Sequence, residues 1–213
     1  MCKVSMLIRC YEYNKYTENT ISSIIKTARS DYDIIIHPRK ASAAVNSNML
    51  LDYARADKVI LMDDDLEFVE DGWDLNLLDT HELCGYVGCV APQLTDQDGN
   101  NIGPKPMREP GSISIGGEVW GAILLFSPTP LIRYDENYIK TTCDDTDFLY
   151  QWLENGFIHM TDTTVHVKHT RELSAQKAGG NKQAWYHQNY AYLTNKWMVD
   201  GKFPSFGDIN YWE

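Results

Sequence analysis

The sequence lacks the features that mark several common functional classes. Its five cysteines include no C-x-x-C pair, so their spacing indicates neither a zinc site nor a disulfide framework, and we expect the reduced, buried thiols of a cytoplasmic protein. No apolar run approaches the roughly 18 residues of a membrane-spanning helix. The motifs G-x-G-x-x-G, G-x-x-x-x-G-K-[ST] and G-x-S-x-G are all missing, which argues against a glycine-rich phosphate loop and against a serine hydrolase.

Basic residues are also in short supply. The 213 residues carry 30 acidic and 19 basic side chains, a net charge of −11. Such a chain lacks the basic surface that binds phosphate backbones, so we expect no nucleic-acid partner. The hydrophobic fraction of 43% is that of an ordinary globular protein, and the length fits one domain. Part of the acid excess falls into two clusters, Asp63–Asp65 and Asp144–Asp147.

Apolar runs and helical spacing alternate along the first half of the chain. They predict strands over 3–8, 32–37 and 58–62 and helices over 17–29 and 41–56, with Thr17 or Asn19 capping the first helix. In the second half the patterns predict strands over 86–91, 119–126 and 163–169, a loop over 94–110, and helices over 144–155 and 183–198. Continuous apolar strands joined by helices are typical of a parallel sheet covered on both faces, so the predicted fold class is α/β.

Three consecutive aspartates follow the third predicted strand. Ligands of open α/β sheets bind beyond the carboxyl ends of the strands, and alternate side chains of an extended segment share a face, so we expect Asp63 and Asp65 to converge while Asp64 points elsewhere. Two converging carboxylates favour a divalent cation between them, and a solvated acidic turn is the alternative. Phe68 excludes an EF-hand and Glu67 excludes the phosphatase pattern D-x-D-x-T. A D-x-D that holds a cation against a diphosphate remains.

The ends of the first two predicted strands carry side chains suited to a nucleoside diphosphate. Tyr11 can stack on a base, and Arg39 can pair with phosphate. Arg9 and His37 occupy the same strand ends. We expect these four residues, together with Asp64, to contact the nucleotide part of a donor.

Seven segments occur in the order known from one enzyme class. They are the first strand with Tyr11 and Asn14, Ala43–Asn46 before the metal strand, the D-x-D of Asp63–Asp65, Gly116–Ala122, Tyr134–Glu136 (similar to F-D-E), Asp144–Phe148 (similar to E-D-x-D-F) and Val167–His169 (similar to V-x-H). Together they cover the chain from Lys3 to Arg171. In this order the segments resemble the GT-A glycosyltransferases, especially those of family 2 and the polypeptide N-acetylgalactosaminyltransferases.

The resemblance completes the metal site with a histidine. The V-x-H motif implies that His169 joins Asp63 and Asp65 in holding Mn²⁺ or Mg²⁺, and an imidazole ligand favours Mn²⁺. His166 is the alternative ligand, although a regular strand would place it on the opposite face from His169. The cation would neutralise the donor diphosphate as it leaves.

The resemblance also implies a catalytic group and an acceptor side. Asp145 would be the base that takes the acceptor hydroxyl proton, and a carboxylate near a helix start is positioned by the helix dipole. Asp147 belongs to the same expected catalytic set and Asp144 competes for the role, while one of the three aspartates is expected to be only the N-cap of the helix. Gly117 and Trp120 would line the acceptor side, with Trp120 beneath the sugars.

The implied protein is a metal-dependent glycosyltransferase with a GT-A fold in a single domain, 1–213. Its nucleotide-binding half, 1–93, has a mostly parallel sheet, and its acceptor-side half, 94–213, is mixed. The expected donor is a UDP-sugar of the UDP-glucose or UDP-rhamnose type, and the expected acceptor is a hydroxyl of a growing glycan or glycoprotein. The size resembles that of glycosyltransferase domains in chlorovirus capsid-glycan enzymes, which implies a viral protein in the host cytoplasm and further domains of a longer polypeptide.

Two departures limit the resemblance. Family 2 enzymes usually place an acid after the second strand to contact the base, whereas this chain has His37-Pro38-Arg39, and it lacks the Q-x-x-R-W of processive polymerases. Two other classes are alternatives. A nucleotidyltransferase of the sugar-phosphate type would carry a glycine-rich loop after the first strand, but 7–14 contain no glycine. A non-catalytic, metal-dependent carbohydrate-binding module would need the cation but no leaving group.

Overall fold

The computed structural model describes residues 3–83, 85–102, 113–115, 121–170 and 182–204. Within these ranges the chain forms eight strands and five helices. The strands are β1 (Val4–Arg9), β2 (Tyr32–Ile36), β3 (Val59–Asp63), β4 (Leu66–Phe68), β5 (Val87–Thr95), β6 (Ile113–Ile115), β7 (Ile123–Phe126) and β8 (Ile158–His169). The helices are α1 (Lys15–Thr27), α2 (Ala43–Tyr53), α3 (Trp73–His81), α4 (Asp144–Glu154) and α5 (Lys182–Trp197).

All the described strands belong to one mixed sheet. Its order is β2-β1-β3-β7-β5-β8-β4, and β6 also pairs with β8. β1 is parallel to β2 and β3, β7 is antiparallel to β3 and β5, and β5 is parallel to β8. β7 is antiparallel to both β3 and β5, so β3 and β5 run in the same direction, and β8 is parallel to β5. β3 and β8 therefore end at the same edge of the sheet. That edge therefore collects the residues at the carboxyl ends of β1, β3 and β8.

Helices cover both faces of this sheet, as the continuous apolar strands predict. Met6 and Ile8 of β1 face one side and pack in a core that includes Ile24 of α1. Leu7, between them, faces the other side and packs in a second core that includes Phe148 of α4. Each fully buried side chain of this kind contributes about 1.5–3 kcal/mol. The predicted α/β class is confirmed.

The first helix begins earlier than the sequence pattern predicts. Its N-cap is Asn14, whose side chain accepts a hydrogen bond from the Tyr16 amide at 2.8 Å, while the Thr17 hydroxyl accepts one from the Asn14 amide at 3.3 Å. This reciprocal pair is a capping box, which satisfies the free amides of the first turn. The prediction of Thr17 or Asn19 as the cap is wrong, because the polar turn before the helix supplies the cap.

From β4 onward the elements depart further from the prediction. β4 and α3 were not predicted, because β4 has three residues and α3 follows Gly72, which has a φ of 72° and makes no side-chain cap. β5 continues to Thr95 and β8 begins at Ile158, so the predicted loop starts too early and the last predicted strand too late. Of the strand predicted over 119–126, Ile123–Phe126 form β7 and residues 119 and 120 lie outside the described ranges.

The described cysteines are free and buried, namely Cys10, Cys89 and Cys143, while Cys2 and Cys84 lie outside the described residues. Burial raises the pKa of both the Cys10 and Cys143 thiols to about 11, so these thiols are protonated and unreactive at neutral pH. No helix in the described part of the chain has the length and apolar character needed to cross a bilayer.

Candidate active site

Two carboxylates and one imidazole meet at the carboxyl edge of the sheet. Asp63 ends β3, Asp65 follows two residues later, and His169 ends β8. One ligand atom from each of the three lies within 4.8 Å of the others, and His169 Nε2 is 3.1 Å from Asp65 Oδ1. The β4–β8 ladder produces this approach by pairing Leu66 with His169. The three residues predicted to hold a metal are therefore brought together.

The electrostatics of this cluster suit a cation. The pKa of Asp63 is raised to about 6, first by burial and then by the charge on Asp65, against the opposing effect of Arg9. The raised pKa records mainly the cost of burying a carboxylate, to which the Asp65 charge adds, and a bound divalent cation would offset both. Two carboxylate oxygens and an imidazole nitrogen form a donor set that Mn²⁺ accepts, and Mg²⁺ to a lesser degree. The residues present thus fit the expected metal.

His166, the alternative ligand, lies elsewhere. Its Nδ1 is 2.9 Å from the Glu70 Oε1 carboxylate oxygen, and its backbone pairs with Gln93 of β5. It does not belong to the cluster of Asp63, Asp65 and His169.

Asp64 points toward α1, as alternation along the strand predicts. Its Oδ2 accepts hydrogen bonds from the Thr17 hydroxyl at 2.9 Å and from Asn14 Nδ2 at 3.2 Å. The Thr20 hydroxyl donates to the Asp64 carbonyl at 3.0 Å and accepts from the Leu66 amide at 3.1 Å. The start of α1 therefore holds the aspartate turn in place, and the Asp64 carboxylate is engaged in that role.

Arg9 joins the cluster to the second acidic group. Its buried guanidinium lies 2.7 Å from Asp63 Oδ1 and also donates to the Gly121 carbonyl. Burial opposes the charged form of Arg9, but the negative charges of Asp63, Asp144 and Asp145 contribute to holding its pKa above the usual value. Arg9 is thus a permanent buried cation between the β3 carboxylates and the start of α4.

Asp145, the predicted base, is held against Gly121. Gly121 donates its amide to Asp145 Oδ2 at 3.3 Å, and the Thr146 amide donates to Oδ1 at 2.8 Å. A Cβ added at Gly121 would overlap the Asp145 side chain, at 2.8 Å from Oδ2 and 3.0 Å from Cγ. Only glycine allows this approach. The sequence reveals Gly121 as part of a motif but gives no sign that the contact with Asp145 requires it.

Asp144 is buried beside this carboxylate. Burial, followed by the charge on Asp145, raises the pKa of Asp144 to about 7, although Arg9 opposes the shift. The N-cap of α4 is Cys143, with a φ of 62°, and it makes no side-chain cap bond. The expectation that one of the aspartates caps the helix is therefore wrong, since Asp144 already occupies the first helical position.

Asp147 is engaged in contacts within the protein. Its fully buried carboxylate accepts hydrogen bonds from the Tyr138 hydroxyl at 3.2 Å, Gln151 Nε2 at 2.8 Å and Trp197 Nε1 at 2.6 Å. Lys196 Nζ lies 2.8 Å from the same side chain. These contacts tie α5 to α4 and enclose the Asp147 carboxylate, so its geometry supports an architectural role rather than the predicted catalytic one.

A cleft opens beside the cluster. Its lining residues are Arg9, Cys10, Tyr11, Ala41, Ala43, Asn46, Asp63, Asp64, Lys140 and Thr141. Three of the predicted nucleotide contacts, Arg9, Tyr11 and Asp64, are among them. Lys140 and Thr141 were not anticipated, because their place in the cleft depends on a loop conformation that no sequence pattern announces.

The other predicted contacts are not brought into this lining. The His37 ring stacks on Tyr53 at a centroid distance of 6.2 Å, and Arg39 Nη1 lies 3.4 Å from Met49 Sδ. Both side chains are exposed in the loop after β2. Gly117 and Trp120, the predicted acceptor residues, lie outside the described part of the chain.

Comparison with known proteins identifies the fold. No protein-family model matches the chain, and neither does any curated protein. Among solved structures, GalNAc-T7 with UDP, GalNAc and Mn²⁺ matches with a TM-score of 0.71 and 12% identity, over 94% of this chain and 49% of that one. S. aureus TarS 1-349 in complex with UDP-GlcNAc matches with a TM-score of 0.61 and 12% identity, over 91% and 67% of the two chains.

These matches confirm the predicted GT-A glycosyltransferase fold. At such identities the likeness extends to the fold alone. The chain spans about half the length of the GalNAc-T7 structure that it matches. The match to S. aureus TarS, with a TM-score of 0.60 and 13% identity, likewise covers 91% of this chain and only 43% of that one.

Proposed function

We propose that this chain is a metal-dependent glycosyltransferase that moves a sugar from a nucleoside-diphosphate donor to a hydroxyl acceptor. The observation that carries the proposal is the continuous set of contacts from Asp63 through Arg9 and Gly121 to Asp145. It links a cation-binding cluster to the Asp145 carboxylate through Arg9, which lines the cleft of a GT-A fold. Glycosyl transfer needs both, one to stabilise the departing diphosphate and one to activate the acceptor.

Asp63, Asp65 and His169 would hold the cation, preferably Mn²⁺. The metal supplies positive charge that stabilises the diphosphate as it leaves. Arg9 adds a second, permanent cation that keeps Asp63 ionised and oriented. Tyr11 would stack on the base, and Lys140 would place an ammonium group toward the donor phosphates.

Asp145 would accept the proton of the attacking hydroxyl. It is half-buried, whereas Asp144 is buried and Asp147 is fully enclosed, so Asp145 is the most accessible of the three. The Gly121 and Thr146 amides fix its two oxygens. Asp144, with a pKa near neutrality, would hold a proton beside it and limit the repulsion between the two acids.

A UDP-linked donor is favoured because the similar structures of GalNAc-T7 and TarS were solved with UDP and with UDP-GlcNAc. We extend the proposal to a hexosyl donor of the UDP-glucose or UDP-rhamnose type and to a glycan acceptor such as that of a viral capsid glycoprotein. We also propose that residues 1–93 bind the nucleotide and metal and that 94–213 form the acceptor side of a single domain in the cytoplasm.

The test is a donor panel of UDP-, GDP- and dTDP-sugars, in which release of the nucleoside diphosphate is measured with Mn²⁺ or with a chelator. We expect turnover of a UDP-sugar with Mn²⁺ and none with the chelator. Asp145→Asn should lower the rate by about 10²–10⁴-fold while leaving UDP binding unchanged. Asp57→Asn, the same change at an exposed position, is the matched control and should have no effect.

Four outcomes would contradict the proposal. Turnover that is insensitive to the chelator would show that the reaction needs no metal ion. Full activity of Asp145→Asn would show that Asp145 is not the catalytic base. Sugar binding with Mn²⁺ but no cleavage of any donor would instead support a non-catalytic carbohydrate-binding module, and release of pyrophosphate from a nucleoside triphosphate with a sugar phosphate would support a nucleotidyltransferase.

A further inference from the structure

One face of α5 is buried, and it carries an unexpected side chain. Asn189, Leu193 and Trp197 are spaced by four residues, so they form a single row along the helix. All three are buried, whereas their helical neighbours are mostly exposed. Leu193 and Trp197 pack against Tyr138 and Cys143. Asn189, which is 2% exposed, places an amide in a row where packing alone would favour an apolar residue.

Hydrogen bonds explain why the amide is there. Asn189 Oδ1 accepts from the Ile139 amide at 2.9 Å, and Nδ2 donates to the Ile139 carbonyl at 2.9 Å. Nδ2 also lies 3.1 Å from both the carbonyl and the hydroxyl of Thr142. The Ile139 amide can only donate, which fixes the orientation of the Asn189 side chain. Asn189 therefore forms hydrogen bonds with the backbone on both sides of Lys140 and Thr141, at Ile139 and at Thr142.

The segment held by Asn189, residues 139–143, has an energetically unfavourable backbone conformation. Lys140, Thr142 and Cys143 have φ values of 61°, 97° and 62°. Positive φ is uncommon for any residue other than glycine, and for a β-branched residue such as Thr142 it is a real outlier. A conformation of this kind persists only where surrounding contacts hold it.

The same segment delivers side chains to the proposed active site. Lys140 and Thr141 line the cleft beside Asp63 and Asp64. The Lys140 carbonyl accepts the first free amide of α2, from Ala43, at 2.6 Å. At its other end, Cys143 is the N-cap from which α4 starts. The conformation of 139–143 thus determines both the cleft wall and the place where Asp144 and Asp145 begin.

We propose that Asn189 is a positioning residue for the reaction. From α5 it holds residues 139–143 in their left-handed conformation, which presents Lys140 and Thr141 to the donor and sets the start of α4 for Asp145. The inference rests on the proposed function for its effect on turnover, but the contact itself is independent of that function. Asn189 touches no substrate in this account and acts through the segment.

Amide hydrogen exchange tests the contact without any activity assay. In the wild-type protein the Ile139 amide, which lies outside every helix and strand, should exchange slowly because Asn189 accepts its bond. Asn189→Ala should speed that exchange by at least about tenfold, and Asn195→Ala, the same change at an exposed position of the same helix, should not. Fast exchange in the wild type, or unchanged exchange in Asn189→Ala, would overturn the inference.

Turnover of the active donor tests the functional consequence at a temperature well below the melting point of every variant. Asn189→Ala should lower kcat/KM by at least about tenfold, and Asn195→Ala should match the wild type. Adding Thr142→Gly to Asn189→Ala should recover most of the loss, because glycine adopts positive φ without strain. A purely structural role predicts a lower melting temperature with normal kcat/KM, and that result would overturn the inference.

The two failures are distinguishable. Absence of turnover in the wild type contradicts the proposed function, and the exchange of the Ile139 amide then decides the inference alone. Normal turnover in the wild type with no recovery in the Asn189→Ala/Thr142→Gly double variant contradicts only the claim that Asn189 acts through the left-handed segment.

Discussion

Replacement of Gly121 by alanine tests the placement of the proposed base without altering any charged group. The new Cβ would overlap Asp145 Cβ, its nearest neighbour, and would lie 3.0 Å from Asp145 Cγ, whereas carbon atoms in contact are about 3.5–4.0 Å apart. Asp145 must therefore move by at least about 0.5–1 Å. A displacement of about 1 Å at a reacting group can cost roughly 10²-fold in rate, so we expect kcat to fall by about that factor.

Stability should change much less than activity in this variant. Overpacking of this kind costs typically about 1–3 kcal/mol, which is less than the total stability of an ordinary domain, about 5–15 kcal/mol. At about 2–4 °C per kcal/mol for a chain of this size, the melting temperature should fall by roughly 2–12 °C and the protein should stay folded. UDP binding should persist, because Gly121 is not among the residues that line the cleft.

The assay compares donor turnover, UDP affinity and thermal melting for Gly121→Ala and a matched control. Gly85→Ala is that control, because a Cβ at Gly85 would meet nothing within 4 Å. The control should behave like the wild type in all three measurements. Wild-type kcat in a folded Gly121→Ala protein would contradict the role proposed for Asp145, since the displaced carboxylate would then have no part in the chemistry.

Three further predictions concern the metal site and the pH dependence of stability. His169→Ala should weaken Mn²⁺ binding by at least about tenfold in an electron paramagnetic resonance titration. Unchanged binding in His169→Ala, or an equal loss in His166→Ala, would contradict the assignment of His169 as the histidine ligand. Because the pKa of Asp144 is raised to about 7, the stability that its protonated side chain contributes is lost as pH rises through that value. Asp144→Asn should therefore be more stable, relative to the wild type, at pH 8 than at pH 4.5 when the metal-free proteins are unfolded in urea. A stability difference that does not change with pH would contradict this. Burial and the Lys58 charge lower the pKa of His81 to about 4, so the stability that neutral His81 contributes is present above about pH 6.5 and is lost as pH falls toward 4. His81→Gln should therefore reduce the dependence of the unfolding free energy on pH in that range. An unchanged dependence would contradict the lowered pKa.

The first three strands of the fold and the two helices between them could be predicted because their signals are local. The apolar runs of β1, β2 and β3 exceed what a half-buried strand would need, and this pattern alone indicates a parallel sheet. Alternation after β3 also predicted correctly that Asp64 turns away from Asp63 and Asp65. Boundaries were less accurate, as the cap at Asn14 shows, because caps depend on side-chain hydrogen bonds rather than on periodicity.

The elements from β4 onward were harder to predict because their order in the sheet depends on long-range pairing. β4 has only three residues, and its existence follows from pairing with β8, more than 90 residues away in the chain. The same pairing brings His169 to Asp65. The sequence could suggest this through a resemblance to a known motif, but no rule of spacing would have found it.

Three features of the site could not be read from the sequence at all. Gly121 matters because a specific side chain approaches it, and Lys140 enters the cleft because of a left-handed backbone. Asp147 lies within an acidic cluster that suggested catalysis, yet burial among Tyr138 and Trp197 gives it structural contacts instead. Each depends on tertiary neighbours, and a single sequence does not identify those neighbours.

The central claim is that Asp63, Asp65 and His169 form a metal site that binds the donor diphosphate. Isothermal titration of UDP, with Mn²⁺ or with a chelator, tests it most directly. UDP should bind with one-to-one stoichiometry only when Mn²⁺ is present, and Asp65→Asn should lose this binding while remaining folded. Equally tight UDP binding in the chelator, or in Asp65→Asn with Mn²⁺, would contradict it.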